Sequence, residues 1–165
     1  EIPIGEGNAI LGFGEEGHHF FADPLKILFI VKEHGGPHLP VALGIVRTAV
    51  QGQAIGIDLG VDVITMGNHT FGRKDILKIF ENETSVIRPL NYPKGTPGKG
   101  SVIINRLGKR IGVVNAMGRV NVMNIDCPFA ALEKEIEYLK DKTDIIIVDF
   151  HADATSEKRA MGYFL

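Results

Sequence analysis

Hydrophobic residues in this chain gather into three short continuous runs, LKILFIV at 25–31, VDVITM at 61–66 and DIIIVDF at 144–150. Runs of this length, rich in β-branched residues and lacking helical spacing, predict strands buried on both faces. Helical spacing appears twice. RKDILKIFEN at 73–82 puts Ile76, Leu77, Ile79 and Phe80 on one face, and CPFAALEKEIEYLKDK at 127–142 carries apolar residues at 129, 132, 136 and 139 behind Pro128. SVIINRLGKRIGVVNAMG at 101–118 reads as a β-hairpin turning at RLGKR. VALGIVRTAVQGQAIGIDLG at 41–60 is ambiguous, because its apolar positions suit a helix and its interior glycines oppose one. Residues 1–24 read as an irregular Gly-rich leader, and RPLNYPKGTPGKG at 88–100 as a long loop of the kind that is usually functional or disordered.

Alternating strands and helices predict an α/β fold, a mixed or mainly parallel sheet covered by helices in a single domain over 1–165. In such sheets, functional residues collect just beyond the C-terminal strand ends. Gly67-Asn68-His69 follows the second run, Asp149-Phe150-His151 closes the third, and Asn115 leads into AMGR after the hairpin. Polar groups from three strands are therefore expected at one edge.

Composition narrows the options further. A chain of 165 residues with 44% apolar residues is long enough for one real core. The net charge of −2, without a long run of one sign, argues against an anionic-membrane partner or sequence-specific nucleic-acid binding. No stretch approaches the ~18 apolar residues of a membrane span. The acidic start EIPIGEGNAI lacks the basic end of a signal peptide. One cysteine, Cys127, excludes an intramolecular disulfide framework and fits a reducing cytoplasm; it is expected to be a small buried apolar group.

Imidazole nitrogen and amide oxygen both suit borderline divalent metals such as Mn, Fe, Co or Zn. Gly67 lets the backbone turn sharply and brings Asn68 close to an ion. A histidine after a strand is also a common hydrogen-bonded loop residue, and spacing alone leaves both readings open.

GVDVITMGNHTFGRKDIL, RPLNYPKGTPGKGSVII, VVNAMGRV and DIIIVDFHADATSEKRAMGYFL together resemble the bacterial YmdB-type branch of the calcineurin-like metallophosphoesterases, nearly continuously from Leu59 to Leu165. The resemblance implies an α/β/β/α sandwich with a two-metal centre (Fe, Mn or Zn) at the strand ends. It also implies hydrolysis of phosphodiesters, with 2′,3′-cyclic nucleotides as a substrate class. By the same resemblance, Asn68 and His151 are ligands of one metal, and His69 contacts phosphate and protonates the leaving group. The loop at 91–100 would shape the cavity wall.

The family pattern also sets expectations that this chain breaks. A first strand followed by Gly-Asp is replaced by ILFI followed by Val31 and Lys32, a cation where a metal-binding carboxylate belongs. The Gly-Glu-Asn-Ala segment between the first strands is replaced by GEGNAILGFG at 5–14. That stretch offers Glu6 as a displaced bridging carboxylate and Asn8 as its substrate-side neighbour, or else a Gly-rich leader that happens to contain both. The expected Thr-His-x-His does not occur before Leu165, so the sandwich is expected to be incomplete at that end. Two functions follow: a cytoplasmic metal-dependent phosphodiesterase, or a catalytically impaired relative serving as a structural or interaction module, self-associating as a homo-oligomer.

Overall fold

The computed structural model describes residues 62–165 except Leu107, together with the backbone of four earlier strands. Those strands are β1 (Ala9–Phe13), β2 (His19–Asp23), β3 (Lys26–Glu33) and β4 (Ile45–Arg47). After them come β5 (Val63–Thr65), α1 (Ile76–Asn82), β6 (Val86–Ile87), β7 (Ser101–Arg106), β8 (Lys109–Met117), α2 (Pro128–Leu139), β9 (Ile145–His151) and α3 (Thr155–Phe164). Two sheets form, as the α/β/β/α sandwich of the family resemblance implies and where the strand–helix alternation alone predicts one. The larger runs β1-β2-β3-β9-β8-β7 and the smaller β4-β5-β6. The smaller is wholly parallel. In the larger, β8 and β9 are parallel and the other neighbours antiparallel.

Residue parity along the strands explains the layers. In β9, Ile145 and Ile147 pack with Ile111 and Val113 of β8 and with Val63 and Ile87 of the smaller sheet. The intervening Ile146, Val148 and Phe150 pack instead with Val114 and Ala116, with Leu132 and Leu139 of α2, and with Met161 of α3. On the far side of the smaller sheet, Ile64, Met66 and Val86 cover Ile76 of α1. The order is thus helix, sheet, sheet, helices. Each fully buried Val, Ile or Phe contributes about 1.5–3 kcal/mol to holding these layers together. Parity also sends Asn115, Asp149 and His151 to the face between the sheets, because side chains alternate strictly along a strand.

The hairpin turn is where it was expected, with Gly108 at φ 74°, a backbone conformation that disfavours side chains. Other expectations need correction. The stretch read as an irregular leader contains β1 and β2, whose cores AILGF and HFFAD are short apolar runs hidden by flanking glycines. The ambiguous segment at 41–60 contributes the strand β4, and its residues after Arg47 lie outside the described part. Cys127 is exposed, since it occupies the cap of α2 just before Pro128 and not the helix's inner face. Leu77 is 44% exposed on the solvent side of α1.

Lys32 also changes meaning. β3 runs antiparallel to β9, with Lys26 opposite His151 and Lys32 opposite Ile146. Five residues of strand, roughly 16 Å, separate Ile146 from His151. The backbone of Lys32 therefore lies towards the opposite end of β9 from the Asn68–His151 edge. Among the described residues, no helix is long and apolar enough to cross a membrane.

Candidate functional site

The parallel strands β5, β8 and β9 end at one edge, and the chain turns directly after β5. Thr70 closes this turn through its backbone N–H and its hydroxyl, both donating to the Gly67 carbonyl at 3.1 and 2.6 Å. Asn68 is thereby presented at the edge, and His69, one residue on, is exposed. From the neighbouring sheet, the His151 ring reaches across, with Nε2 3.2 Å from Asn68 Oδ1. Glycine at position 67 has a steric cause. A Cβ there would lie 3.0 Å from His151 Cε1 and Nε2, so the ring occupies the space a side chain would need.

Beneath this pair, two buried contacts lock the sheets together. The Thr65 hydroxyl donates a hydrogen bond to Asp149 Oδ2. The Asn115 amide donates from Nδ2 to the Met66 carbonyl at 2.6 Å and to the Ile87 carbonyl at 3.3 Å. Asn115 is 0% exposed, and its Oδ1 has no hydrogen-bond partner among the described residues. It fixes the residue immediately before Gly67, and so the direction in which the turn leaves the strand.

The Pro/Gly loop is ordered by side chains acting on main chain. Arg88 is 9% exposed, and its guanidinium donates to the carbonyls of Pro89, Leu90, Thr96 and Pro97 at 2.7, 3.3, 3.0 and 3.0 Å. Burial holds this guanidinium below its ordinary pKa, with Tyr92 pulling weakly the other way. Tyr92 in turn stacks edge-on against Phe71 with ring centroids 5.4 Å apart, coupling the loop to the segment after His69. Burial raises the Tyr92 phenol above its usual value, and the neighbouring Thr70 hydroxyl and Arg88 oppose that. Asn91 behaves like a strand residue. Its Oδ1 accepts from the Met117 N–H at 2.9 Å, and its Nδ2 donates to the Met117 carbonyl at 2.7 Å.

Of the residues singled out in the sequence, Asn68 and His151 are brought together, and His69 stands beside Asn68 in the same turn. Glu6 and Asn8 lie outside the described residues. Sequence reasoning missed Arg88, Asn91 and the buried Thr65–Asp149 contact. Only its place at a strand end marks Asn115 in the sequence.

The Asn68–His151 separation bears on metal binding. Two ligands bonded to one ion at about 2.1 Å stand roughly 3.0 Å apart at a right angle and roughly 3.4 Å apart at a tetrahedral angle. The observed 3.2 Å, a hydrogen-bond contact here, falls between these, a spacing that two adjacent ligands of one cation would also show. Among the described residues, no group of three or more His, Cys, Asp or Glu side chains could hold a metal ion, so this pair would need further ligands from outside them.

The profile of the family described as YmdB-like protein matches residues 44–165. The chain belongs to the YmdB-like family. Within it, the chain is 42% identical over 108 residues to the 2′,3′-cyclic-nucleotide 2′-phosphodiesterase of Bacillus subtilis (strain 168), covering 66% of this chain and 41% of that protein. A crystal structure of a hypothetical protein from Thermus thermophilus superposes with TM-score 0.62 and 41% identity, over 66% of this chain and 42% of that one. A structure described as a novel phosphatase from Mycoplasma pneumoniae gives TM-score 0.58 and 34% identity, over 66% and 40% of the two chains. The chain thus spans about two-fifths of the length of these YmdB-like and structural relatives. Its layering is the α/β/β/α sandwich of calcineurin-like phosphoesterases.

Proposed function

We propose that this chain carries part of the active site of a metal-dependent phosphodiesterase acting on 2′,3′-cyclic nucleotides. The observation that carries the reading is the convergence of Asn68 Oδ1 and His151 Nε2, 3.2 Å apart, from two different sheets. These two atoms would hold one divalent cation, Mn, Fe or Zn, of a two-metal centre. When bound, the centre supplies Lewis-acid polarisation of a phosphoryl oxygen and charge neutralisation.

The protein's own groups do the rest. Thr65, Asp149 and Asn115 fix the two strand ends, so the ligand atoms need little reorganisation on binding. His69, exposed beside Asn68 in the Gly67–Thr70 turn, would contact the phosphate and protonate the departing 2′-oxygen as water adds to phosphorus and the bond from phosphorus to that oxygen breaks. The Arg88-clamped loop would form one wall of a substrate cavity. Support for the substrate class comes from the name of the Bacillus subtilis relative.

The test is metal content of the purified chain, alongside turnover of a 2′,3′-cyclic nucleotide by wild type and His69→Ala. Bound metal, with turnover lost on removing His69, supports the reading. Metal-free chain without turnover after incubation with Mn or Zn would leave a family fold acting as a structural or interaction module.

A further inference from the structure

Two residues past β8, Arg119 is held with unusual care. The Gly118 N–H donates to the His151 carbonyl at 2.8 Å, so the chain leaves β8 while still paired with the residue that carries a metal-type nitrogen. The Glu157 carboxylate, from the first turn of α3, then accepts from the Arg119 N–H at 2.8 Å and the Val120 N–H at 3.3 Å. Gly118 makes this reach possible. A Cβ there would collide with Glu157 Oε2 and stand only 2.7 Å from the Ala152 Cβ. The backbone of Arg119 is thus fixed by the glycine before it and by a carboxylate from α3.

The side chain is treated differently. Arg119 is exposed, and among the described residues its guanidinium meets no carboxylate and makes a long 3.4 Å hydrogen bond to Asn124 Oδ1. Arg73, Arg106 and Arg110 each face a carboxylate, of Asp75, Asp62 and Asp144. Arg88 spends its donors on carbonyls. A guanidinium with a fixed root and uncommitted donors, on the edge that carries Asn68 and His151, is suited to a phosphate, whose oxygens match its planar fork.

We infer that Arg119 is a substrate-binding residue that contacts non-bridging oxygens of a phosphate ester at the Asn68–His151 edge, an inference that rests on the phosphodiesterase reading above. Its main effect is on binding of the anion, in the ground state and the transition state alike.

The experiment titrates inorganic phosphate into the Mn-loaded chain by calorimetry and measures KM and kcat on a 2′,3′-cyclic nucleotide. It uses wild type, Arg119→Met, Arg119→Lys, and Arg106→Met as a control on the opposite sheet edge. Loss of a charge-assisted contact predicts phosphate Kd and KM both raised ~10- to 100-fold in Arg119→Met. Metal content and kcat stay near wild type, and Arg119→Lys is intermediate. Phosphate affinity unchanged in Arg119→Met, or lowered equally in Arg106→Met, would overturn the inference, as would a wild-type chain that binds no phosphate. A wild-type chain that binds phosphate through Arg119 but hydrolyses nothing would instead defeat the phosphodiesterase reading and leave Arg119 as an anion contact.

Discussion

Asn115 gives the sharpest test of how the site is held. Its Nδ2 donates to the Met66 carbonyl at 2.6 Å in a place with no solvent access, and its register partner on β9 is Asp149. Replacing Asn115 by Asp keeps the shape but turns that donor into an oxygen facing a carbonyl, beside a second buried carboxylate. At neutral pH an ionised group there is an unpaired buried charge, costing about 3–5 kcal/mol. Protonated, the same carboxyl regains one donor to Met66 and most of the loss disappears.

The introduced carboxyl has a folded-state pKa raised above its unfolded value, so the stability it allows is present below about pH 4 and lost as pH rises through the raised value. Thermal melts by circular dichroism across pH 5–8 should therefore show the gap between Asn115→Asp and wild type widening with pH, to at least ~6 °C for a chain of this size. Asn115→Leu strands the Met66 carbonyl but also removes the unpartnered oxygen, so its cost is milder, about 1–3 kcal/mol, and flat with pH. An Asn115→Asp variant as stable as wild type at pH 8, or no less stable than Asn115→Leu, would refute the reasoning.

Further predictions rest on other contacts. Gly67→Ala places a Cβ 3.0 Å from the His151 ring, and metal affinity measured by competition with a chelator should fall ~10-fold with little change in melting temperature. Arg88→Met strands carbonyls of Pro89, Leu90, Thr96 and Pro97, costing about 2–4 kcal/mol, and hydrogen exchange should rise first across 89–100. Because burial raises the Tyr92 phenol above its ordinary value of 10.0, wild type should lose stability as pH climbs beyond that value. Tyr92→Phe should flatten this alkaline slope in denaturant titrations.

Much of the fold was legible because periodicity reports burial. The runs at 61–66 and 144–150, the hairpin and the two amphipathic helices all carry strong patterns. α3 did not, since only Lys158 and Met161 of its ten residues are buried and no apolar stripe marks it. The division into two sheets was hidden from periodicity, because a strand apolar on both faces does not say what each face meets; the family motifs supplied it. For the site, strand ends pointed correctly to Asn68, Asn115 and His151 as neighbours at one edge. Arg88, Asn91 and Glu157 were invisible because they act on backbone groups, and a side chain bonded to main chain leaves no partner residue to recognise in the sequence. Gly118 before Arg119 was the one available signal of a close approach there.

The Asn68–His151 contact joins residues 83 positions apart, and the Thr65–Asp149 contact beneath it spans 84. During synthesis, then, the turn after β5 is complete long before its partner exists. Until β9 has left the ribosome and docked beside β8, a nascent chain holds a lone amide and no paired imidazole. Closing so long a loop is slow compared with forming a local hairpin. A cation held by this pair, as proposed above, could be captured only after β9 has docked.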